Sequence, residues 1–225
     1  MKFANALMAM LVAGSLSAQS TDDINGRVIL FGEAVQTRGI LLASGVTDQA
    51  NFQTGPGIRF MGQTTQDSWW YWEVAGRFLS SASMVTNRNI PTSSGEVALD
   101  MTKTKIRYGY WSLGAAYLIP LGQAVDFGLH VEGRGETINP EGTYAQGAMT
   151  QAIDAHTVYF RPWVRASLDF KFRTGSFHTI IGGDLAAAAI RANQRAIDSP
   201  ILSDSQTLRA LAPTWSGSLY AGFQF

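Results

Sequence analysis

One segment of the sequence alternates strictly between apolar and polar residues over sixteen positions, residues 157–172. Its even positions are all apolar, whereas its odd positions are mostly polar or charged and include Arg161, Arg165 and Asp169. Because successive side chains of a β-strand point to opposite faces, this pattern predicts a strand with one apolar and one ionic face. No helical period fits the segment.

The same alternation recurs along the chain and predicts eight strands in all. The other seven are residues 27–36, 52–62, 68–79, 105–119, 124–136, 177–191 and 208–225. Residues 28–31 are apolar on both faces, so the first strand shows the pattern least clearly. Residues 185–189 read Leu-Ala-Ala-Ala-Ala, which favours a helix by propensity alone. We favour a strand there because the neighbouring strands need a partner.

The predicted connections alternate in length. Residues 63–67, 120–123 and 173–176 form short turns. The longer connections, rich in Ser, Thr, Asn, Gly and Gln, are residues 37–50, 80–104, 137–156 and 192–206. All long loops therefore emerge at one end, an arrangement typical of outer-membrane barrels with short periplasmic turns.

Alternation alone is compatible with two kinds of barrel. A soluble, lipocalin-like barrel would turn its apolar face inward around a ligand. The chain has 13 Arg but only 4 Lys and 6 Glu, which favours paired charges in a confined interior over a solvated face. Aromatic residues also gather near strand ends, as in a membrane-interface girdle. The predicted interface aromatics are Trp70, Trp72, Tyr117, Phe170, Phe172, Phe177 and Phe223.

Composition excludes several classes of protein. Lys and Arg total 17 against 17 Asp and Glu, and no basic block occurs, so a basic nucleic-acid binder is excluded as the default. Apolar residues make up 46% of the chain, too many for a disordered protein. The absence of cysteine excludes disulfides and cysteine-ligated zinc. No apolar run downstream of the first residues reaches the length of a transmembrane helix.

The first residues resemble a secretory signal. Lys2 precedes an apolar stretch over residues 3–16, and small residues follow through Ala18. We predict a signal peptide at 1–18, with cleavage after Ser20 as the alternative, and a barrel domain at 19–225. A short buried helix is the structural alternative for this segment.

The chain ends in an alternating strand, Leu219-Tyr-Ala-Gly-Phe-Gln-Phe225. This ending resembles the C-terminal signal of bacterial outer-membrane β-barrel proteins, although that family usually has Gly at the position of Tyr220. The chain as a whole resembles small barrels of the OmpA transmembrane-domain, OmpX and OmpW type. The resemblance implies an eight-stranded antiparallel transmembrane β-barrel, assembled by the barrel-assembly machinery through Phe225. Pro162 and Pro213 each predict a lost ladder bond or a bulge.

The ionic faces of four strands would all project into this barrel. An eight-stranded barrel is narrow enough for side chains to fill. The predicted lumen network is Arg59, Glu73, Arg77, Asp126, His130, Glu132, Arg134, Arg161, Arg165 and Asp169. We expect the Glu73–Arg77 face to interlock with the Arg161, Arg165 and Asp169 face, and His130 to pair with Glu132 or Asp126.

Three functions remain from the sequence. The favoured one is a non-catalytic outer-membrane barrel with a salt-bridged lumen and a structural or surface-interaction role. A narrow pore for small solutes or hydrophobic compounds is the first alternative, and a lipid-modifying enzyme is the second. The three histidines, His130, His156 and His178, suggest no triad, and no His-x-Ser motif resembling the lipid A deacylases occurs. We expect no cofactor, metal or nucleic-acid partner; the expected partners are outer-membrane lipid and the assembly machinery.

Overall fold

The computed structural model describes residues 25–38, 50–83, 89–92, 95–146, 149–154, 156–174, 176–192 and 212–225. The predicted signal peptide lies outside these residues. Within them, no helix is long and apolar enough to cross a membrane. Ten β-strand segments account for the described secondary structure: β1 (Gly26–Arg38), β2 (Ala50–Gln63), β3 (Trp70–Ser83), β4 (Asn89–Thr92), β5 (Gly95–Pro120), β6 (Val125–Gln146), β7 (Met149–Asp154), β8 (Thr157–Thr174), β9 (Phe177–Ala188) and β10 (Trp215–Gln224).

Eight of these strands close into an antiparallel barrel. Going around the barrel, the order is β1, β2, β3, β5, β6, β8, β9, β10 and back to β1. The seam between β1 and β10 is paired continuously from Arg27 to Val35. At its end Gly26 and Phe225 exchange both backbone hydrogen bonds, with N–O distances of 2.9 and 3.0 Å. The predicted eight-stranded antiparallel barrel is therefore confirmed.

The two remaining segments extend the barrel wall on the side of the long connections. β7 continues the register of β8 along β6, so the two segments lie in line along the same edge of β6. β4 pairs with the start of β5, and β5 pairs with β6 beyond the barrel rim. Much of the predicted loops 80–104 and 137–156 is consequently a projecting four-stranded sheet, in the order β4, β5, β6, β7.

Short turns join the strands at the opposite end, as predicted. Residues 64–69 connect β2 to β3, and residues 121–124 connect β5 to β6. β8 ends at Thr174 and β9 begins three residues later, at Phe177. We call this end of the barrel the turn end and the other the loop end.

The apolar faces of the strands point outward. Along β8, Val158 to Phe172 are exposed at every even position, whereas the polar side chains between Arg161 and Asp169 are buried. The same holds in β3, where Trp72 is exposed between buried Tyr71 and Glu73. This distribution rules out the lipocalin-like alternative with an apolar interior.

The two uncertain segments are both strands. In β1, Ile29 and Phe31 point into the barrel and Leu30 points out, so this strand contributes apolar side chains to both faces. β9 runs as a strand through Ala188 because β8 and β10 both hydrogen-bond to it. Tertiary pairing thus overrides the helix propensity of its alanines.

Neither proline produces a bulge, which was one of the two predicted outcomes. Pro162 lies within β8 opposite Gly133, and the register continues unchanged on both sides of the pair. Pro213 precedes β10 and lies outside the ladder. The register shifts are found instead between Arg77 and Ser80 and between Asp100 and Lys105.

Candidate functional site: the charged lumen

The interior of the barrel contains equal numbers of cationic and anionic side chains, beside buried apolar and aromatic ones. Among the described residues, seven cations and seven carboxylates point inward, and all are buried except Lys171, whose side chain is 16% exposed. The cations are Arg27, Arg59, Arg77, Arg134, Arg161, Arg165 and Lys171; the anions are Glu33, Glu73, Asp126, Glu132, Glu136, Asp169 and Asp184. All ten residues that the sequence placed in the lumen are buried here.

Arg27 bridges two carboxylates at the turn end. Its Nη2 lies 2.6 Å from Asp126 Oδ2 and its Nη1 lies 2.7 Å from Asp169 Oδ2. β1 and β6 are four strands apart in either direction around the barrel, so the Arg27–Asp126 pair spans its full width. Lys171 Nζ donates to Asp126 at 2.8 Å, and the Tyr220 hydroxyl donates to Asp169. These bonds link β1, β6, β8 and β10 at this end.

Glu73 is the centre of the next layer. The Arg165 guanidinium donates to its Oε1 from three strands away, and Arg59 Nε lies 3.8 Å from the same oxygen. Arg59 also donates to Asp184 at 3.0 Å, which joins β2 to β9 across the seam. The Ser218 hydroxyl donates to the other oxygen of Asp184.

A Glu–His–Ser relay branches from this layer. His130 Nδ1 lies 2.8 Å from Glu73 Oε2, and Nε2 lies 2.9 Å from Ser167 Oγ. A proton on Nδ1 directed at the carboxylate leaves Nε2 to accept from the serine hydroxyl. Arg165 Nη2 also lies 3.0 Å from Nδ1. His130 therefore joins β3, β6 and β8 through one side chain.

The third layer is built around Arg134. Its Nη2 lies 2.7 Å from Glu132 Oε1 and its Nη1 lies 3.3 Å from Glu33 Oε1. The guanidinium is sandwiched between the rings of Tyr110 and Trp163, with its Cζ 4.1 Å from each centroid. Such desolvated cation–π contacts stabilise a buried cation by about 2 kcal/mol. This layer again joins opposite walls, β6 and β1.

Arg161 and Glu136 form the layer nearest the loop end. The guanidinium donates to both carboxylate oxygens and to the carbonyl of Pro213. Tyr108 Oη donates to the same carboxylate at 2.7 Å and Trp163 Nε1 at 3.1 Å. Glu136 is fully buried, yet both its oxygens are hydrogen-bonded, which offsets the desolvation of the charge.

The structure corrects one predicted pairing and specifies the partners in another. His130 pairs with Glu73 rather than with Glu132 or Asp126. Glu73 interlocks with Arg165 of the predicted opposing face, whereas Arg161 pairs with Glu136 on the neighbouring strand. Sequence periodicity assigns a side chain to the interior, but partner choice depends on the relative height of strands that are far apart in the chain.

Five interior charges were missing from the predicted network. They are Arg27, Glu33, Glu136, Lys171 and Asp184. Lys171 and Glu136 sit on the polar faces of predicted strands, and this position alone could have identified them. Arg27, Glu33 and Asp184 belong to the two strands whose apolar neighbours obscured the alternation.

Aromatic side chains cluster on the outside of the barrel near the turn end. Trp70 and Tyr117 are paired at a centroid distance of 4.9 Å, and Phe177 contacts Phe223 edge-to-face at 5.4 Å. Trp72, Phe170 and Phe172 are also exposed. All seven predicted interface aromatics thus project from the outer surface.

The Glu73–His130–Ser167 relay has the hydrogen-bond order of a hydrolase triad. All three side chains are at least 97% buried, however, and a Cβ placed on Gly128 would lie 2.2 Å from Ser167 Oγ. Packing around the hydroxyl is therefore tight. No group of three or more His, Cys, Asp or Glu side chains suited to a metal ion occurs in the described part of the chain.

Comparison with known proteins identifies a shared fold and no closer relationship. No family model and no curated protein matches the chain. A major outer membrane protein from Thermus thermophilus superposes with a TM-score of 0.50 at 8% identity, covering 89% of this chain and 98% of that one. Ail of Yersinia pestis gives 0.45 at 11% identity, covering 91% and 100%. OprG of Pseudomonas aeruginosa gives 0.46 at 12% identity, covering 90% and 95%. At these identities the likeness concerns the barrel fold alone.

Proposed function

We propose that the protein is a non-catalytic β-barrel of the bacterial outer membrane with a closed lumen and a structural or surface-interaction role. The observation that carries this proposal is the interior of seven cations and seven carboxylates, paired with one another across the barrel. The fold shared with the Thermus outer membrane protein is consistent with it.

The outer surface supports a membrane location. Large apolar side chains are exposed around the barrel, including Leu219 at 78%, Val131 at 62% and Phe160 at 62%. In water such a surface would drive association, whereas in lipid it is the expected exterior of a barrel. With strands tilted by about 45°, the outward residues 158–172 of β8 span roughly 30 Å, close to the thickness of a bilayer core.

The pairing of the lumen charges favours a plug over a pore. An ion or a solute passing through would have to separate pairs such as Arg27–Asp126 and Glu73–Arg165, which link walls on different sides of the barrel. Removing one partner of a buried pair costs about 3–5 kcal/mol, so separating several at once is unfavourable. The neutral network thus supports a sealed interior.

The loop end supports a role at the cell surface. The sheet formed by β4, β5, β6 and β7 projects beyond the barrel on the side opposite the short turns. In outer-membrane barrels the long connections face the exterior, so this sheet would be presented to the surroundings of the cell. Enzymatic activity is the weaker proposal because Ser167 is enclosed by Gly128 and His130.

Planar-bilayer recording tests the closed lumen. Purified, refolded protein should give no stepwise conductance, and the same preparation after heat denaturation controls for leakage caused by unfolded chains. Stable single-channel openings would replace the plug with the narrow pore. Mass analysis of lipid A from cells with and without the gene tests the enzyme, and the expected result is no difference in acylation.

A further inference from the structure

A groove crosses the outward face of β6, β8, β9 and β10. Its volume is about 690 Å³. The short side chains of Ala166 and Ala187 set its depth, and larger side chains border it. The bordering side chains are Leu129, Val131, Val164, Leu185 and Trp215.

Two cross-strand rows form the groove. Val131, Val164, Ala187 and Trp215 are paired in sequence from β6 to β10, and Leu129, Ala166 and Leu185 form the parallel row. Four strands about 4.8 Å apart make the groove about 15 Å across. All of these outward side chains are apolar. The other lining residues, His130, Arg165, Ala186 and Ser216, are buried and belong to the inward faces of their strands, so the groove suits an apolar ligand.

The groove reaches the loop-end rim of the barrel at Trp215, the first residue of β10. Trp215 contacts Phe52 edge-to-face at a centroid distance of 5.3 Å. Amphipathic rings of this kind mark the boundary between the apolar core and the headgroups of a bilayer. From this boundary the groove continues towards Ala166 in the middle of β8 and Leu129, the fifth residue of β6 from its turn-end start.

We propose that this groove binds an acyl chain of a bilayer lipid from the leaflet at the loop end. The proposal rests on the proposed membrane location. A flexible chain can follow a concave apolar surface that is continuous with the rest of the outward band. A second copy of the protein fits less well, because a two-fold interface would place the same concave patch on both sides and leave the space between them unfilled.

The test fills the groove without touching the lumen. Ala187→Phe adds a ring between Val164 and Trp215, and Ala187 is exposed, so the interior is unaffected. Ala221→Phe is the matched control, since Ala221 is exposed on β10 outside the groove. Each protein is refolded into dimyristoyl phosphatidylglycerol vesicles, extracted into mild detergent and weighed by native mass spectrometry.

Wild type and Ala221→Phe should retain a bound lipid, whereas Ala187→Phe should retain at least about tenfold less. Ala166→Leu fills the same groove from β8 and serves if Ala187→Phe does not fold. Equal retention of lipid by all variants would overturn the acyl-chain site, and so would an equal loss of lipid in Ala187→Phe and Ala221→Phe. A lipid-free dimer would also overturn it and would assign the groove to a second copy of the protein. Failure of the wild type to enter vesicles would instead contradict the proposed membrane function.

Discussion

At the scale of single residues, Glu73 organises the centre of the lumen. It faces Arg59, Arg165 and His130 from three different strands. Its carboxylate is almost completely buried, so its stability depends on these partners rather than on water. A buried carboxylate with several cationic partners is a position where truncation leaves uncompensated charge.

Glu73→Gln should destabilise the barrel by about 3–5 kcal/mol because it leaves Arg165 and Arg59 with one carboxylate fewer. A double-mutant cycle with Arg165→Met should give a coupling energy of about 1–3 kcal/mol, measured by urea unfolding in lipid vesicles. Lys171→Met, at the partly exposed end of the network, is the control and should cost less. A coupling energy near zero would mean that water, not Arg165, compensates Glu73.

Gly128 provides the space for the His130–Ser167 hydrogen bond. A Cβ at this position would lie 2.2 Å from Ser167 Oγ and 2.7 Å from His130 Nε2. Gly128→Ala should therefore destabilise the protein by about 1–3 kcal/mol through overpacking. Thermal unfolding in vesicles measures the change.

Gly32→Ala is the matched control for Gly128→Ala, because nothing lies within 4 Å of a Cβ there and the strand gains from losing a glycine. Adding Ser167→Ala to Gly128→Ala removes the nearest clashing atom and should restore part of the lost stability. If the two single glycine variants behave alike, the relay is more loosely packed than the structure shows.

At the scale of elements, β8 separates lipid-facing from lumen-facing positions one residue apart. Leu168 is 39% exposed and points outward, whereas Ser167 is buried and bonded to His130. The neighbouring strands β6 and β9 repeat the division, so the whole wall has one apolar face.

Leu168→Arg should cost about 2–4 kcal/mol if the position lies near the middle of the bilayer. Thr174→Arg, exposed at the turn end of the same strand, is the control and should cost about 0–1 kcal/mol near the interface. Unfolding in vesicles by urea gives both values. A Leu168→Arg barrel that is as stable as the control would contradict the proposed lipid-facing side of β8.

At the scale of the whole molecule, the exterior and the interior of the barrel differ in the environment that stabilises them. The charges of the lumen neutralise one another, while the apolar band requires lipid. The proposed membrane location therefore implies that the chain is exported and inserted into lipid before the complete barrel is stable. The signal peptide predicted at 1–18 from the sequence would provide this export.

Cells producing the protein should contain it in the outer-membrane fraction, with an N-terminus near Gln19. Fractionation followed by N-terminal sequencing measures both. A Lys2→Glu variant, which removes the basic start of the signal, should reduce export while leaving the barrel strands unchanged. Recovery of the mature chain as a soluble periplasmic protein would contradict the membrane proposal.

The sequence by itself determined where the eight barrel strands lie and which face most of their side chains take, because alternation in a strand is a local property with a period of two. That is why the eight strands, the short turns and the buried positions of residues such as Glu73 and Arg165 could be predicted without a structure. It also explains why β1 and β9 were uncertain, since their local composition does not separate the two faces. The sequence did not reveal that much of the predicted loops 80–104 and 137–156 is also strand, since that part of the sheet has no comparable alternation.

Tertiary structure alone decided which charges meet. Glu73 and Arg165 are three strands apart around the barrel, and the height at which each enters the lumen depends on every register between them. A shift of two residues in the register of one strand pair would keep every side chain on its face. It would nevertheless change which charges on the two sides of that pair lie at the same height. Closure of the β1–β10 seam brings Arg59 to Asp184, a pairing that no local pattern contains.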